Sequence, residues 1–389
     1  MILVINVVLF SIIIHFVTFN NAANILALFP MSSKSHAMIG YDLCESLAKR
    51  GHNVTHVSAF PRGTKLQNYY EVDLTDFMNS FQETENSNTG IISIFTDGLI
   101  SYTNKVFEFY GQLTEIVLRD KNLQKIINSK QNFDVILMGA ISQEALLGIG
   151  HHFRAPIIIT SPSGMNMFVD DLVGNQAPYS YVPNMLLNYS NRMTFIQRFV
   201  NSVIGFYVNI YKHVVHYPNQ NKILYKYFQN APDIHELMKN VAIVLSNSHE
   251  SVSFPRPLVK NVVNVAGLHV LEPKMLPSDL KKFMDNAQHG VIYFSLGSNI
   301  RSQEMPMEIK KSFVKAFSKL KQKVLWKWDE PTIEGLSDNV RLSTWCPQND
   351  ILAHSNVKIF ITHGGRLSTI EALTMKFVFR WITKILQKI

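Results

Sequence analysis

Short, almost unbroken apolar runs recur along the chain, separated by helical patterns and glycine-marked turns. In the first two thirds they are Asn24–Phe29 (NILALF), Val54–Ser58, Phe133–Met138 (FDVILM), Pro156–Thr160, Val241–Leu245 and Val262–Val265. In the last third they are Val291–Ser295, Lys323–Lys327, Val340–Ser343 and Ile359–Ile361. Runs this short, apolar at successive positions, predict strands buried on both faces, as in parallel sheets. Between them lie helical patterns. Ala37–Lys49 places Ile39, Leu43 and Leu47 four apart and stops at Arg50-Gly51, a glycine suited to a helix C-terminus. Ser142–His151, Pro306–Leu320 and Asp350–His354 read as further helices, whereas residues 60–130 look less regular. Strands alternating with helices predict βαβ units, hence an α/β fold of two facing, doubly wound Rossmann-like domains with a cleft between them. Residues 266–288, with Gly267, Pro273 and Pro277, read as the linker.

Three stretches depart from this rhythm. Residues 2–19 are almost wholly apolar and are followed by Asn20-Asn21-Ala22-Ala23, which reads as a secretory signal peptide, with an uncleaved anchor as the other reading. Phe195–Tyr217 is a long apolar segment carrying Arg198, Lys212 and His213. It fits a buried or half-buried helix, or a membrane-facing patch. Residues 376–389 (KFVFRWITKILQKI) repeat a basic residue every fourth position, as in a basic amphipathic helix, or as where a truncated or mis-spliced reading frame happens to end.

Composition narrows the class. With 389 residues the chain holds two domains of ordinary size, and at 47% hydrophobic and 17% charged it is a folded protein. A net charge of +8 over this length, with no basic block interleaved with aromatics, argues against nucleic-acid binding. Two cysteines, Cys44 and Cys346, do not make a disulfide scaffold. Sequons stand at Asn53 and Asn188, and Asn188, in a polar loop, is the better glycan candidate. The histidines are scattered without an acidic cluster, so no metal site and no cofactor are expected.

Candidate chemistry gathers near the C-terminus. The run Ile359–Ile361 ends at Thr362-His363-Gly364-Gly365 and enters a helical pattern. A strand, a glycine turn and a helix start form an anion site, because backbone N–H groups and the helix dipole converge above the turn. Ser368-Thr-Ile-Glu371 also has the spacing of a capping box. His36 follows the first strand, at the sheet edge where ligands bind in open parallel sheets, and an imidazole suits general-base work.

The motifs SKSH (33–36), RGHNVT (50–55), NSHESVSFPRP (247–257), VIYFSLGSN (291–299), WCPQNDILAH (345–354) and FITHGG…STIEAL (360–373) resemble those of the animal UDP-glycosyltransferase and UDP-glucuronosyltransferase family, insect type. The resemblance implies a GT-B fold and inverting transfer of a hexose or glucuronic acid from a UDP-sugar to a small lipophilic acceptor, with His36 as base. It implies that Ser298, His363, Gly365 and Ser368 meet the donor phosphates, Trp345 and Gln348 the uracil, and Glu371 the ribose. For Ser368 and Glu371 a purely capping role stays open, as core packing does for Trp345. The acid that partners the base in such enzymes falls at Gly139 here; Asp134 lies within the strand, and Glu144, five residues on, is the candidate substitute. The family's later glycine–proline stretch, sugar-gripping residues and membrane anchor do not follow residue 375.

The division implied is signal peptide 1–23, N-terminal acceptor-binding domain 24–265, linker 266–288, partial C-terminal UDP-sugar-binding domain 289–375 and divergent basic tail 376–389. The setting expected is the secretory pathway, in the endoplasmic reticulum lumen, with a role in detoxification and no C-terminal anchor. Activity impaired by the short second domain is expected. The alternative is a non-catalytic lipophile-binding or regulatory partner, assembling with itself or with full-length relatives.

Overall fold

The computed structural model of the chain describes residues 22–30, 34–74, 77, 98–139, 142–297 and 305–375. The first unit runs β1 (Asn24–Phe29), α1 (Lys34–Lys49), β2 (Asn53–Ser58), β3 (Tyr69–Asp73), α2 (Leu99–Arg119), α3 (Lys121–Ile127) and β4 (Val135–Gly139). A 3₁₀ turn at Glu144–Leu147 leads to α4 (Gly148–Phe153) and β5 (Ile157–Ser161). Then come α5 (Phe195–Tyr211), a π-helical turn at Lys212–His216, α6 (Tyr217–Tyr227), α7 (Ile234–Met238), β6 (Val241–Ser246) and β7 (Val262–Asn264). Seven parallel strands pair in the order β3-β2-β1-β4-β5-β6-β7. After the linker helix α8 (Ser278–Asp285), the second unit runs β8 (Val291–Ser295), α9 (Met307–Phe317), β9 (Lys323–Lys327), β10 (Val340–Ser343), α10 (Gln348–Leu352), β11 (Val357–Thr362) and α11 (Arg366–Thr374). Its four parallel strands pair as β10-β9-β8-β11.

The apolar runs become the cores. Leu26, Leu28, Ile136, Met138, Ile157 and Ile159 are buried in one cluster of the first sheet, and Val291, Tyr293, Leu325 and Phe360 in one of the second. In each sheet the order reverses once, between β1 and β4 and between β8 and β11. Such reversals open a crevice beyond the strands' carboxyl ends.

The structure adds order where the sequence looked irregular. Within residues 60–130 lie β3, the 21-residue α2 and α3, whose Asp120 cap accepts from the backbone N–H groups of Asn122 and Leu123. The pattern at 142–151 splits into a 3₁₀ turn and a short helix. The capping box that the spacing of Ser368 and Glu371 left open is not formed. α11 begins at Arg366 with Gly365 as its cap, so Ser368 and Glu371 already sit inside the helix. The 195–217 segment is an amphipathic helix followed by a π turn. Asn201, Gly205 and Val208 face inward, while Phe195, Ile196, Phe199, Val203, Phe206 and Ile210 are exposed.

Cys44 and Cys346 are both buried and free. Asn53 is exposed, but its amide donates to Asn24 Oδ1 (2.9 Å), and Asn188 is exposed. Among the described residues no helix is long and apolar enough to cross a membrane. The apolar run 2–19 and the tail 376–389 lie outside the described residues.

Candidate active site

The two reversal points meet in one cleft of about 430 Å³. From the first sheet it takes Lys34, Ser35 and His36, on the opening turn of α1. From the second it takes Gly297 beyond β8, Trp345 and Gln348 before and on α10, and His363, Ser368 and Glu371 beyond β11. Thus His36 and the residues singled out near the C-terminus, more than 300 positions away in the chain, line the same cavity. Ser298 lies outside the described residues.

On the second-sheet side the polar groups are tightly interlocked. Gln348 donates through Nε2 to Ser368 Oγ (2.9 Å) and to Glu371 Oε2 (2.5 Å), and its Oε1 accepts from the Tyr293 hydroxyl (3.2 Å). Glu371 is buried, and burial pushes its carboxyl up to about 7; the Gln348 bond opposes this and the Asp42 carboxylate across the cleft adds to it. His269, from the linker, stands 3.8 Å from the other Glu371 oxygen and bonds to Leu367 O (3.2 Å). Burial lowers its pKa, which keeps the ring neutral. The linker is also stitched to α10, where Asp350 accepts from Lys274 N and Asn349 donates to Leu271 O.

His363 is clamped between two glycines. A Cβ at Gly297 would lie 2.6 Å from its ring and one at Gly365 2.4 Å, so any larger residue at either position displaces it. Burial, and then the Lys327 cation, lower its pKa, and its Nδ1 is buried without a hydrogen-bond partner among the described residues. Lys327 donates to Gly297 O (2.7 Å). A neutral imidazole, a glycine turn and the N-terminus of a nine-residue helix together favour an anionic group.

Trp345 is 52% exposed. Its ring carries the Lys34 ammonium at 4.2 Å and the Lys327 ammonium at 5.7 Å. The indole therefore belongs to the cleft and not to a hydrophobic core. Lys34 crosses from the first unit to reach it, a contact that the spacing of SKSH did not disclose.

The first-sheet side is sparse. His36 is half-buried, and the protein around its ring pushes its pKa down to about 4. Among the described residues it makes no ion pair. Glu144, the expected substitute acid, does not partner it. Glu144 is buried and bonds to His216 Nε2 at 2.7 Å, behind the first sheet's loops. The backbone explains this: the 3₁₀ turn after β4 carries Glu144 toward the π turn that presents His216. Gly139 ends β4 without an acid. Among the described residues no group of three or more histidine, cysteine, aspartate or glutamate side chains is arranged to hold a metal ion.

A second cavity of about 750 Å³ lies over the first sheet's loops and meets the cleft at Ser163 and Arg366. Arg366 bridges the two units, donating through Nη1 to Ser253 Oγ (2.8 Å) and Val252 O (3.3 Å). Neither this junction nor His269 was singled out from the sequence. The only local signal was a cationic residue directly after the glycine turn.

The chain is similar to known proteins over most of its length. The family described as UDP-glucoronosyl and UDP-glucosyl transferase matches residues 23–376. The "UDP-glycosyltransferase UGT5" of Dactylopius coccus is 34% identical over 357 residues, covering 90% of this chain and 67% of that protein. The "UDP-glucuronosyltransferase 2B15" of Rattus norvegicus is 30% identical, over 87% of this chain and 66% of its own length. The chain thus spans about two thirds of the length of these relatives. Among solved structures, a UDP-glucose: anthocyanidin 3-O-glucosyltransferase in complex with UDP superposes with a TM-score of 0.55 at 15% identity, over 91% of this chain and 79% of that one. Arabidopsis thaliana UGT89C1 complexed with quercetin gives 0.52 at 16%, over 91% and 77%. These two share the fold.

Proposed function

The chain belongs to the UDP-glucoronosyl and UDP-glucosyl transferase family, and on that premise we propose that it transfers a hexose or glucuronic acid, with inversion, to a small lipophilic acceptor held in the larger cavity. The observation that carries the reading is the shared cleft: His36 from one sheet lines the same cavity as Trp345, Gln348, His363, Ser368 and Glu371 from the other. In this reading Trp345 stacks on the uracil once Lys34 swings aside, and Glu371, oriented by Gln348, accepts from the ribose hydroxyls. The diphosphate sits over Gly365 and the start of α11, near His363 and Ser368.

The acceptor hydroxyl attacks the anomeric carbon as His36 takes its proton. The bond from that carbon to the phosphate oxygen breaks, and UDP leaves with the electron pair, stabilised by the helix N-terminus and His363. Attack opposite the leaving group inverts the anomeric centre.

The surroundings of His36 support slow transfer. A histidine with a pKa of about 4 is neutral at pH 7 but a weak base, and among the described residues no carboxylate pairs with it to stabilise its protonated form. The same observation favours the second reading, a non-catalytic lipophile-binding partner of full-length relatives. Purified chain incubated with UDP-glucose or UDP-glucuronate and a phenol separates the two. Slow formation of a β-linked product by NMR supports the first; robust turnover contradicts the slow-base reading, an α-linked product contradicts inversion, and nucleotide binding without turnover supports the second. We also propose passage through the endoplasmic reticulum lumen, for which a glycosidase-sensitive mass shift lost in Asn188→Gln is the check.

A further inference from the structure

Building on the transferase reading, we propose that Arg366 recognises a carboxylate on one of the two reacting molecules, at the point where the donor cleft meets the larger cavity. The inference rests on which cations there are already neutralised. The larger cavity contains Lys212, Arg256 and Arg366. Lys212 pairs with Asp171 at 2.5 Å, and Arg256 pairs with Asp170 at 2.8 Å and donates to Met165 O at 2.9 Å. The remaining acid of the cavity, Glu250, is exposed and forms no ion pair with a described residue.

Arg366 alone of the three has no carboxylate among the described residues. Its two hydrogen bonds, to Ser253 Oγ and Val252 O, both use Nη1. The Nη2 and Nε groups, on the opposite edge of the guanidinium, donate to no described residue. That edge is the one that holds a carboxylate with two parallel bonds. The Nη1 bonds fix the plane of the group, so it is held ready for a ligand. Nη2 lies beside Gly164, where an added Cβ would stand 3.7 Å from it, so the neighbour on that side brings no side chain against this edge.

Position decides what the cation reads. Arg366 lines both cavities, as Ser163 does, whereas Lys34 and Lys327 lie against Trp345 in the cleft alone. A cation at this junction meets the transferred sugar of the donor or the near end of the acceptor, and carboxylate chemistry on either is recognised alike. A uronic acid donor and an aromatic acid acceptor are the two sources.

Calorimetric binding to the purified chain tests this with UDP, UDP-glucose and UDP-glucuronate, and, without nucleotide, with 4-hydroxybenzoate and its methyl ester. Arg366→Leu is expected to weaken UDP-glucuronate or 4-hydroxybenzoate by at least about tenfold. UDP, UDP-glucose and the ester should stay within about twofold, and the ligand that suffers identifies which molecule bears the carboxylate. Arg366→Lys should retain part of the preference. Ser253→Ala, which removes one of the two Nη1 bonds and leaves the charge, should retain most of it. Equal losses for UDP and its sugars, no loss for any carboxylate ligand, or the same pattern in Ser253→Ala would overturn the proposal. Failure of the unaltered chain to bind UDP would instead remove the nucleotide reading, while the 4-hydroxybenzoate arm still decides the role of Arg366.

Discussion

The two sides of the cleft are built to different standards. On the second-sheet side one amide, Gln348, ties together a tyrosine hydroxyl, a serine hydroxyl and a buried carboxylate, and two glycines clamp an imidazole. On the first-sheet side His36 stands on the first turn of a helix with no acidic partner among the described residues, and the acid five residues past Gly139 bonds elsewhere. Preorganised polar groups hold their geometry because each fixes its neighbour's rotamer, whereas an isolated histidine is held by packing alone. In the proposed reading the contrast separates two tasks: the polar groups assigned to the nucleotide are preorganised, and the residue assigned to proton transfer is weakly supported.

The most severe way to probe this asymmetry is His36→Ala. If the base side contributes at all, transfer should fall by about 10²–10⁴-fold with UDP affinity unchanged within twofold, read by turnover and calorimetry side by side. Equal rates in the variant and the parent would mean that the base side contributes nothing. A smaller effect, of opposite sign, is expected from Gly139→Asp, which places an acid where the resembling enzymes carry one. Turnover should rise at least about tenfold and the alkaline shift of the base's pKa should appear in the pH–rate profile. An unchanged profile would show that an acid at 139 does not reach His36.

The second-sheet side makes its own prediction. Glu371 has its pKa raised to about 7, so it gains its charge between pH 6 and 8. If the ionised form grips the ribose, UDP affinity should rise by about tenfold over that interval, beyond the slope due to the ligand's own phosphate, and Glu371→Gln should remove the excess. Folding responds with the opposite sense. A carboxyl whose pKa is higher in the folded chain than in the unfolded one favours folding most below the unfolded value of about 4.5, and that contribution is lost as pH rises through 7. Smallest in its effect on transfer is Glu144→Gln. Turnover per folded molecule should stay within twofold, while stability falls by about 1–3 kcal/mol because a buried hydrogen bond to His216 is weakened. A large loss of turnover with stability intact would return Glu144 to the base.

The legible parts of this molecule were those set by local pattern. Strands buried on both faces write themselves as continuous apolar runs, and NILALF, FDVILM and VIYFS all stand as β1, β4 and β8 within a residue or two. The glycine turn after β11 was equally plain. What stayed hidden depends on partners distant in sequence. Glu144 meets His216 across 72 positions, Arg366 meets Ser253 across 113, and Lys34 meets Trp345 from the far end of the first unit's opening βα turn. Ser368 and Glu371 show the opposite hazard. Their spacing satisfies a local rule, but the helix starts three residues early because Gly365 caps it, and both side chains turn to Gln348. The α2 helix was missed although Phe107, Leu113, Ile116 and Val117 face the core at helical intervals.

Lys34 lying over Trp345 has a practical consequence. Trp326 and Trp328 are buried beside each other, so their emission supplies a steady background, whereas Trp345 is half-exposed beneath an ammonium group donated by the opposite unit. A cation at 4.2 Å perturbs an excited indole, and its departure alters brightness and colour. Trp345 is thus an optical gauge of that contact. With Trp381 replaced by phenylalanine, a stopped-flow trace of intrinsic fluorescence would report the lysine leaving the ring in real time, with no dye attached.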